Sequence, residues 1–464
     1  MSLFQGLEIG KRALLAHQLS LNTTGHNIAN VNTPGYTRQR VEVGAASPVE
    51  SAYGPVGMGV DVTDVKHIRD LFLNGRWREE NENLGQWQAR SRSLTQIESF
   101  FNEPQDAGLG AMLNGFWASW HDLANKPEAP ETRKAVIQQA HLVTNAFSQL
   151  HRQLSQLSQS VDVEIQNRLK EINNIGSEIA DLNRQVAYVE LGGENANDLR
   201  DKRDLLIDQL SQYVDVNTRE DSLGRTTVYI GAMAFVDETS YWALEAEKVS
   251  SGNGVKSYIK WQGSTFEPTF FNGEMKAMIA TRDELVPDYL NKLNTLSKAI
   301  VDNVNAAHRA GYGLDGVDGI NFFDPFLTDA DQIVINPEVE NDPSRIAAST
   351  GGEVGDGSNA LTIADILKVN RIMSNNMETI EQYYSSIVGS VGIHVQEASA
   401  QTENYTLLVQ QIENSRQSVQ GVSLDEEMAN LVKYQHAYEA AARVITVMDE
   451  ALSVLISGTG IVGR

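Results

Sequence analysis

The chain has 464 residues, no cysteine and a formal net charge of -24. That length allows several domains with real cores, and the missing thiols exclude disulfides, thiolate catalysis and sulfur-ligated zinc. The acidic field repels nucleic acid and anionic lipid, so no nucleic acid is expected as a partner. No run approaches the roughly 18 apolar residues of a membrane span, so no membrane insertion is expected either. The first eight residues lack the basic head and apolar run of a cleaved secretion signal. Two expectations stay open on composition alone: a cytoplasmic protein, or one exported without a cleaved peptide.

In chain order the first predicted helix covers about Leu3 to Ile28, with Leu7, Leu14, Leu21 and Ile28 repeating every seven residues. The Asn-rich stretch and Pro34-Gly35 stop it. Residues 37–65 read as short strands, with Val41 and Val43, then Val60, Val62 and Val65, alternating with polar residues. A second helix is predicted from about Ile68 to Phe101. A third runs from Leu109 to Leu123 and carries Phe116, Trp117 and Trp120, read as a core contact between helices.

The longest helical pattern runs from Pro130 to about Val189. Its apolar series from Val136 to Val189 spans 53 residues in 15 steps, close to 3.5 per step. That period predicts a narrow stripe, as in a coiled coil or long bundle, on a rod of roughly 90 Å. A shorter helix is predicted from Asn197 to Tyr213. Residues 214–272 change to β-branched and aromatic runs punctuated by Gly224, Gly231, Gly252, Gly254 and Gly263, predicting an all-β insert of about five strands.

Helix resumes from Glu274 to His308, then a loop region holds one strand at Ile333-Val334-Ile335. A short helix is predicted from Leu361 to Met373 and a long one from Glu378 to Arg416. The last helix opens on a Ser423/Glu426 capping box and closes at Gly458. Leu431, Tyr434, Tyr438, Ala441, Ile445, Met448, Leu452 and Leu455 line one face of it. The fold class is therefore mainly α with a β insert: paired terminal helices, a long-helix coiled-coil-like bundle and a small all-β outer domain. The expected domains are 1–40 plus 422–464, 41–213 plus 273–421, and 214–272.

The two ends carry opposite charge, +3 over residues 1–40 and -3 over 424–464. Exposed ion pairs contribute only about 0.2–1 kcal/mol each. The apolar stripes, at roughly 1.5–3 kcal/mol per buried Leu-sized side chain, supply most of the pairing energy. With so small a core and Leu15, Val432, Val444 and Val447 outside it, the pair is expected to order fully only in an assembly.

Chemistry is absent from the patterns. The nine histidines are scattered and no His-Glu-x-x-His occurs. Asp315 to Gly319 lacks two ligands of a calcium loop, and the Gly-rich run 351–357 lacks the P-loop lysine. No catalytic residue, cofactor or metal is expected, and the chain is read as not an enzyme.

Gly25-His26-Asn27-Ile28-Ala29-Asn30-Val31-Asn32-Thr33-Pro34-Gly35-Tyr36 resembles the N-terminal signature of the flagellar rod, hook and hook-associated protein family. Residues 424–445, LDEEMANLVKYQHAYEAAARVI, resemble its C-terminal signature. Within the family, Tyr36-Thr37-Arg38-Gln39, the long helices between 68 and 213 and the stretch 359–365 resemble the hook–filament junction members. The alternative within the family is a hook or distal rod subunit; outside it, an enzyme carried on a flagellar tail, such as a cell-wall hydrolase. The resemblance implies a structural protein secreted through the flagellar type III export apparatus, cytoplasmic before export. It implies a flagellar export chaperone at the C-terminal helix region. It also implies a ring-like layer of copies of itself between the hook protein and the second hook–filament junction protein. One departure is that the β insert is smaller than the outer domains common in the family.

Overall fold

The computed structural model describes residues 3–51, 54–101, 108–251, 254–366, 368, 370–374 and 377–459. Gly252 and residues 460–464 lie outside them. Helix α1 (Leu3–Ala29) leads into strands β1 (Gln39–Ala45), β2 (Val49–Ser51), β3 (Gly54–Val56) and β4 (Val60–His67). Strand β1 pairs antiparallel with β4 through a bulge at Glu42/Val43, and β2 with β3. Helices α2 (Leu71–Phe101), α3 (Leu109–Asn125), α4 (Pro130–Glu190) and α5 (Asn197–Tyr213) follow. The second helix thus starts at Leu71 rather than Ile68, because the Asp70 carboxylate caps it by accepting from the Phe72 and Leu73 amides.

The apolar series of α4 is buried almost throughout, from Val136 to Val186. No single helix covers it. Near its start Arg133 donates to the carbonyls of Pro127 and Ile346. Farther along, three polar side chains of α4 hold strands in turn. Asp162 accepts from the Ser257 amide and hydroxyl, Asn173 bonds both backbone groups of Leu244, and Asn183 bonds Thr226 N and O.

Those strands are β5 (Val216–Glu220), β6 (Thr226–Ile230), β7 (Met233–Asp237), β8 (Ser240–Tyr241), β9 (Leu244–Ser251) and β10 (Gly254–Trp261). They form a four-stranded antiparallel sheet, β5-β6-β7-β8, and the hairpin β9-β10. Among the described residues there are six strands where about five were expected. Phe235, Leu244, Ile259 and Trp261 share one continuous core with α4. A Cβ at Gly176 of α4 would lie 2.4 Å from Phe235 Cζ, so the glycine is what lets the sheet seat on the helix.

The chain then runs through α6 (Gly273–Ala280), a π-helical turn (Thr281–Leu285) and α7 (Val286–Arg309). Two short helices follow, α8 (Pro337–Asn341) and α9 (Ser358–Ala364), and then α10 (Ile380–Gln420) and α11 (Leu424–Thr459). Four local expectations change here. Residues 333–335 contribute only an isolated bridge, Phe323 to Ile335. The helix expected from Leu361 to Met373 is Ser358–Ala364, ending where Asp365 caps its carbonyls. The start of α10 is set by a Thr379/Gln382 capping box. Helix α11 continues through Gly458 to Thr459. The aromatic group of α3 packs as expected, with Phe116 and Trp120 fully buried against Phe322, Phe323 and His308.

Candidate functional site

The chemistry-bearing residues of the two ends meet where α1 stops. Asn30 N donates to the His26 carbonyl, Thr33 N to the Asn30 carbonyl and Tyr36 N to the Thr33 carbonyl, turning the chain back on itself. Gly35 completes the turn at φ +76°, and a Cβ there would lie 3.0 Å from Leu205 on α5. Only glycine takes that backbone conformation without strain while lying so close to a neighbour. Within the motif, Asn30 and Thr33 build the turn, Ile28 is half-buried, and Ala29, Asn32 and Pro34 are exposed.

The turn returns Tyr36 and Gln39 to Asn27, which is 1% exposed. The Asn27 amide donates to the Gln39 carbonyl (2.9 Å) and accepts from the Gln39 amide (3.0 Å). Its Oδ1 also accepts from the Tyr36 hydroxyl (2.8 Å) and its Nδ2 donates to Glu427 Oε2 (3.0 Å). Burial, with the charges of Asp198, Asp201 and Glu427, holds the Tyr36 hydroxyl protonated well above its ordinary range, so it stays a donor.

Glu427, 2% exposed, is the C-terminal half of this lock. Its Oε1 receives Arg38 Nε at 2.8 Å, while Arg38 Nη1 reaches Glu426 at 2.6 Å. The Glu426 amide meets the Ser423 hydroxyl at 3.5 Å. The cross-end ion pairs of the described residues thus centre on Arg38. Lys11 and Arg12 pair with Glu8, and Arg12 with Asp61 on β4.

Above the lock, α1 and α11 run antiparallel: Gly6 faces Met448, Gly10 faces Ile445, and Asn27 faces Glu427. A Cβ at Gly6 or Gly10 would lie within 3 Å of those side chains. The seam on α1 is made of small or polar residues: Gly6, Gly10, Ala16, Ser20, Thr23, Thr24 and Asn27 are buried. Leu7, Leu14, Leu21 and Ile28 flank it half-buried; opposite, Ile445 and Met448 meet the glycines, Leu431, Tyr434, Tyr438 and Leu452 are half-buried, and Leu455 is 48% exposed. The heptad leucines therefore line the seam's margins, and the close approach belongs to the glycines. The small residues on one face, Gly6 and Gly10 four apart and then Ala16 and Ser20 four apart, were the signal for it in the sequence.

Ala16 and Ala441 are the apolar side chains buried in this pair among the described residues. Phe4, Leu15, Met428, Val432, Val444, Val447, Val454 and Ile456 are exposed. The ribbon of β1 and β4 braces α1, with Gly59 against Ile9.

A second feature lies on α5, where Asp198, Asp201, Asp204 and Asp208 share one face. Asp201 accepts from the Thr37 amide (2.8 Å) and hydroxyl (2.6 Å), and Asp198 from Gln39 Nε2 (2.7 Å). Their 3, 3, 4 spacing was the available clue.

Three family models match the chain. The family described as flagellar hook-associated protein FlgK helical domain matches residues 94–323. Flagella basal body rod protein matches 7–37, and the flagellar basal body rod FlgEFG protein C-terminal family matches 409–457. Flagellar hook-associated protein 1 of Bacillus subtilis (strain 168) is 32% identical over 506 aligned positions, covering 100% of both chains. That of Salmonella typhimurium is 23% identical, covering 96% of this chain and 98% of its own. The structure of the flagellar hook junction protein FlgK from Burkholderia pseudomallei superposes with a TM-score of 0.65 at 15% identity, over 75% of this chain and 100% of its own. With a full-length relative at 32% identity and both terminal families in their places, the chain belongs to the flagellar hook-associated protein 1 family.

Proposed function

We propose that this chain is a structural subunit of the hook–filament junction, assembled through its paired N- and C-terminal helices. The observation that carries the reading is the antiparallel pair itself. Its seam is closed by glycines and a buried polar lock, yet its outer faces leave large apolar residues in water, Ile456 and Phe4 both at 71% exposure. Apolar side chains that a two-helix module cannot bury call for neighbouring copies. Residues 1–40 plus 422–464 form the inner assembly unit, 41–213 plus 273–421 the helical body, and 214–272 the outer β part.

Copies of the chain form a ring-like layer on the hook protein, beneath the second junction protein. Subunits leave the cytoplasm through the type III export apparatus, with a chaperone on the C-terminal helix region beforehand. The role is structural and needs no cofactor.

A clean deletion followed by electron microscopy tests this. Hooks without filaments, with flagellin lost to the medium, are expected. Cells without hooks would instead indicate a hook or distal rod subunit. A chain lacking residues 424–464 is expected to stay outside the flagellum, and its incorporation would overturn assembly through the helix pair.

A further inference from the structure

We propose that Asp198 and Asp201 of α5 are positioning residues: they fix the direction in which the terminal helix pair leaves the helical body. The inference rests on the proposed function in one respect, that the direction of the pair matters for assembly.

The four aspartates on one face of α5 divide their partners cleanly. Asp204 pairs with Arg69 and Asp208 with Arg78 and Arg416, at 2.6 and 2.8 Å, so this half ties α5 to α2 and α10. Asp198 and Asp201 instead receive the terminal unit. Besides the bonds of Thr37 and Gln39, His26 Nε2 lies 3.3 Å from Asp198 and His67 Nδ1 3.2 Å from Asp201. The leader of α5 adds Asn197 Nδ2, donating to the Val65 carbonyl at 2.7 Å. One rigid helix is therefore gripped by the body along its second half and by the terminal unit along its first.

The chain itself does not set the angle. The β1–β4 ribbon braces α1 and goes with the pair, so the chain crosses between the two parts near residues 68 and 420, and Arg38 lies beside both crossings. Arg38 N donates to the Gln420 carbonyl and Ile68 N to the Arg38 carbonyl. Three chain segments joined at one residue act as a hinge. Asp201 holds Thr37 and His67 beside that hinge, while Asp198 also reaches His26 on α1 and Asn197 reaches the Val65 carbonyl, so α5 grips the terminal unit on both sides of it. Asp201 is 4% exposed and accepts from both the amide and the hydroxyl of Thr37. Hydrogen bonds are directional where apolar contact is not. The apolar contribution to this joint centres on Gly35 against Leu205.

The absence of cysteine makes the test direct. Single cysteines at exposed Asn22 on α1 (Asn22→Cys) and exposed Tyr188 on α4 (Tyr188→Cys) carry a spin-label pair, and double electron–electron resonance on the full chain reads their separation. Asn22 lies at the locked end of the pair, five residues before Asn27, so the parent is expected to give one narrow distance distribution, and Asp198→Ala/Asp201→Ala one at least double its width. Thr37→Val, which removes one donor and leaves the backbone bond, is expected to broaden it partly, and Thr37→Ser to restore the parent width. These substitutions leave the core residues of the body untouched, and a retained thermal transition of the body separates loss of direction from loss of fold. A double variant as narrow as the parent, or a parent already as broad as the variant, overturns the proposal. Because the measurement is made on soluble chain, such a result leaves the assembly reading standing. A failed deletion experiment would overturn that reading without altering the distances.

Discussion

Replacing Asn27 by aspartate changes one side-chain atom and should harm the joined ends more than truncation to alanine. In Asn27→Ala the Gln39 amide and carbonyl both lose partners at a residue that is 9% exposed. Each stranded backbone group costs about 1–3 kcal/mol, so the loss is roughly 2–6 kcal/mol. Tyr36 is half-buried and Glu427 keeps Arg38, so neither adds much. Asn27→Asp preserves the two bonds that Oδ1 accepts but sets an acceptor against the Gln39 carbonyl and against Glu427 Oε2, now 2.9 and 3.0 Å away. Two carboxylates at that separation repel by about 5 kcal/mol at an effective dielectric of 20, and Arg38 offsets only part. Aspartate at 27 takes up a proton with rising acidity and becomes a donor again. At pH 7 Asn27→Asp is therefore expected to be the less stable variant, with the gap closing towards pH 5. Adding Glu427→Gln should restore much of the loss, a coupling that a double-mutant cycle isolates. Hydrogen exchange of residues 35–45 and 424–430 reads the local stability. An aspartate variant no worse than alanine at pH 7, or a gap that ignores pH, would refute the reasoning.

Gly10→Leu should push α11 away from α1, because even a Cβ lies 2.9 Å from Ile445 Cγ1. A loss of about 1–3 kcal/mol confined to the terminal pair is expected in exchange measurements. Gly176→Leu should unseat β7 through Phe235, exposing Trp261 to a quencher while the helical transition persists. Two buried groups give opposing pH dependences in urea unfolding. Burial lowers His308 to about 4, below its unfolded value of roughly 6.5, with one ring nitrogen facing the Ile320 carbonyl and the other accepting from Ala347 N. Its contribution is whole above pH 6.5 and is lost as pH falls towards 4. Burial raises Glu82 to about 8, so its contribution is whole at acid pH and is lost as pH climbs from roughly 4.3 to 8. Glu82→Gln should remove the second slope and keep the first, and an unchanged profile would count against this assignment.

The helices were legible because their signals are local. Pro130 at the first turn of α4, the 3.5-residue stripe behind it and the turn at Pro34-Gly35 all act within a few residues. Helix ends in the loop-rich stretch 311–373 were less so, since short segments there take their shape from side chains elsewhere. Asp356 organises the Gly-rich run by accepting from Ser349, Thr350 and Ser358. The stripe of α4 announced burial without naming its cover, which combines helices, a loop and the β strands.

The sequence by itself determined that two striped helices close this chain and that their signatures are those of the flagellar axial family. Only the tertiary structure decided how they join. A heptad of leucines states which face is apolar, whereas the distance between helix axes decides which residues form the seam, and that distance was set by Gly6 and Gly10. Asn27 finds its partner 400 residues away in Glu427, and Thr37 finds Asp201 on α5, 164 residues on. Hydrogen-bonded pairs so remote leave no period in the sequence, because their geometry exists only after the chain has returned.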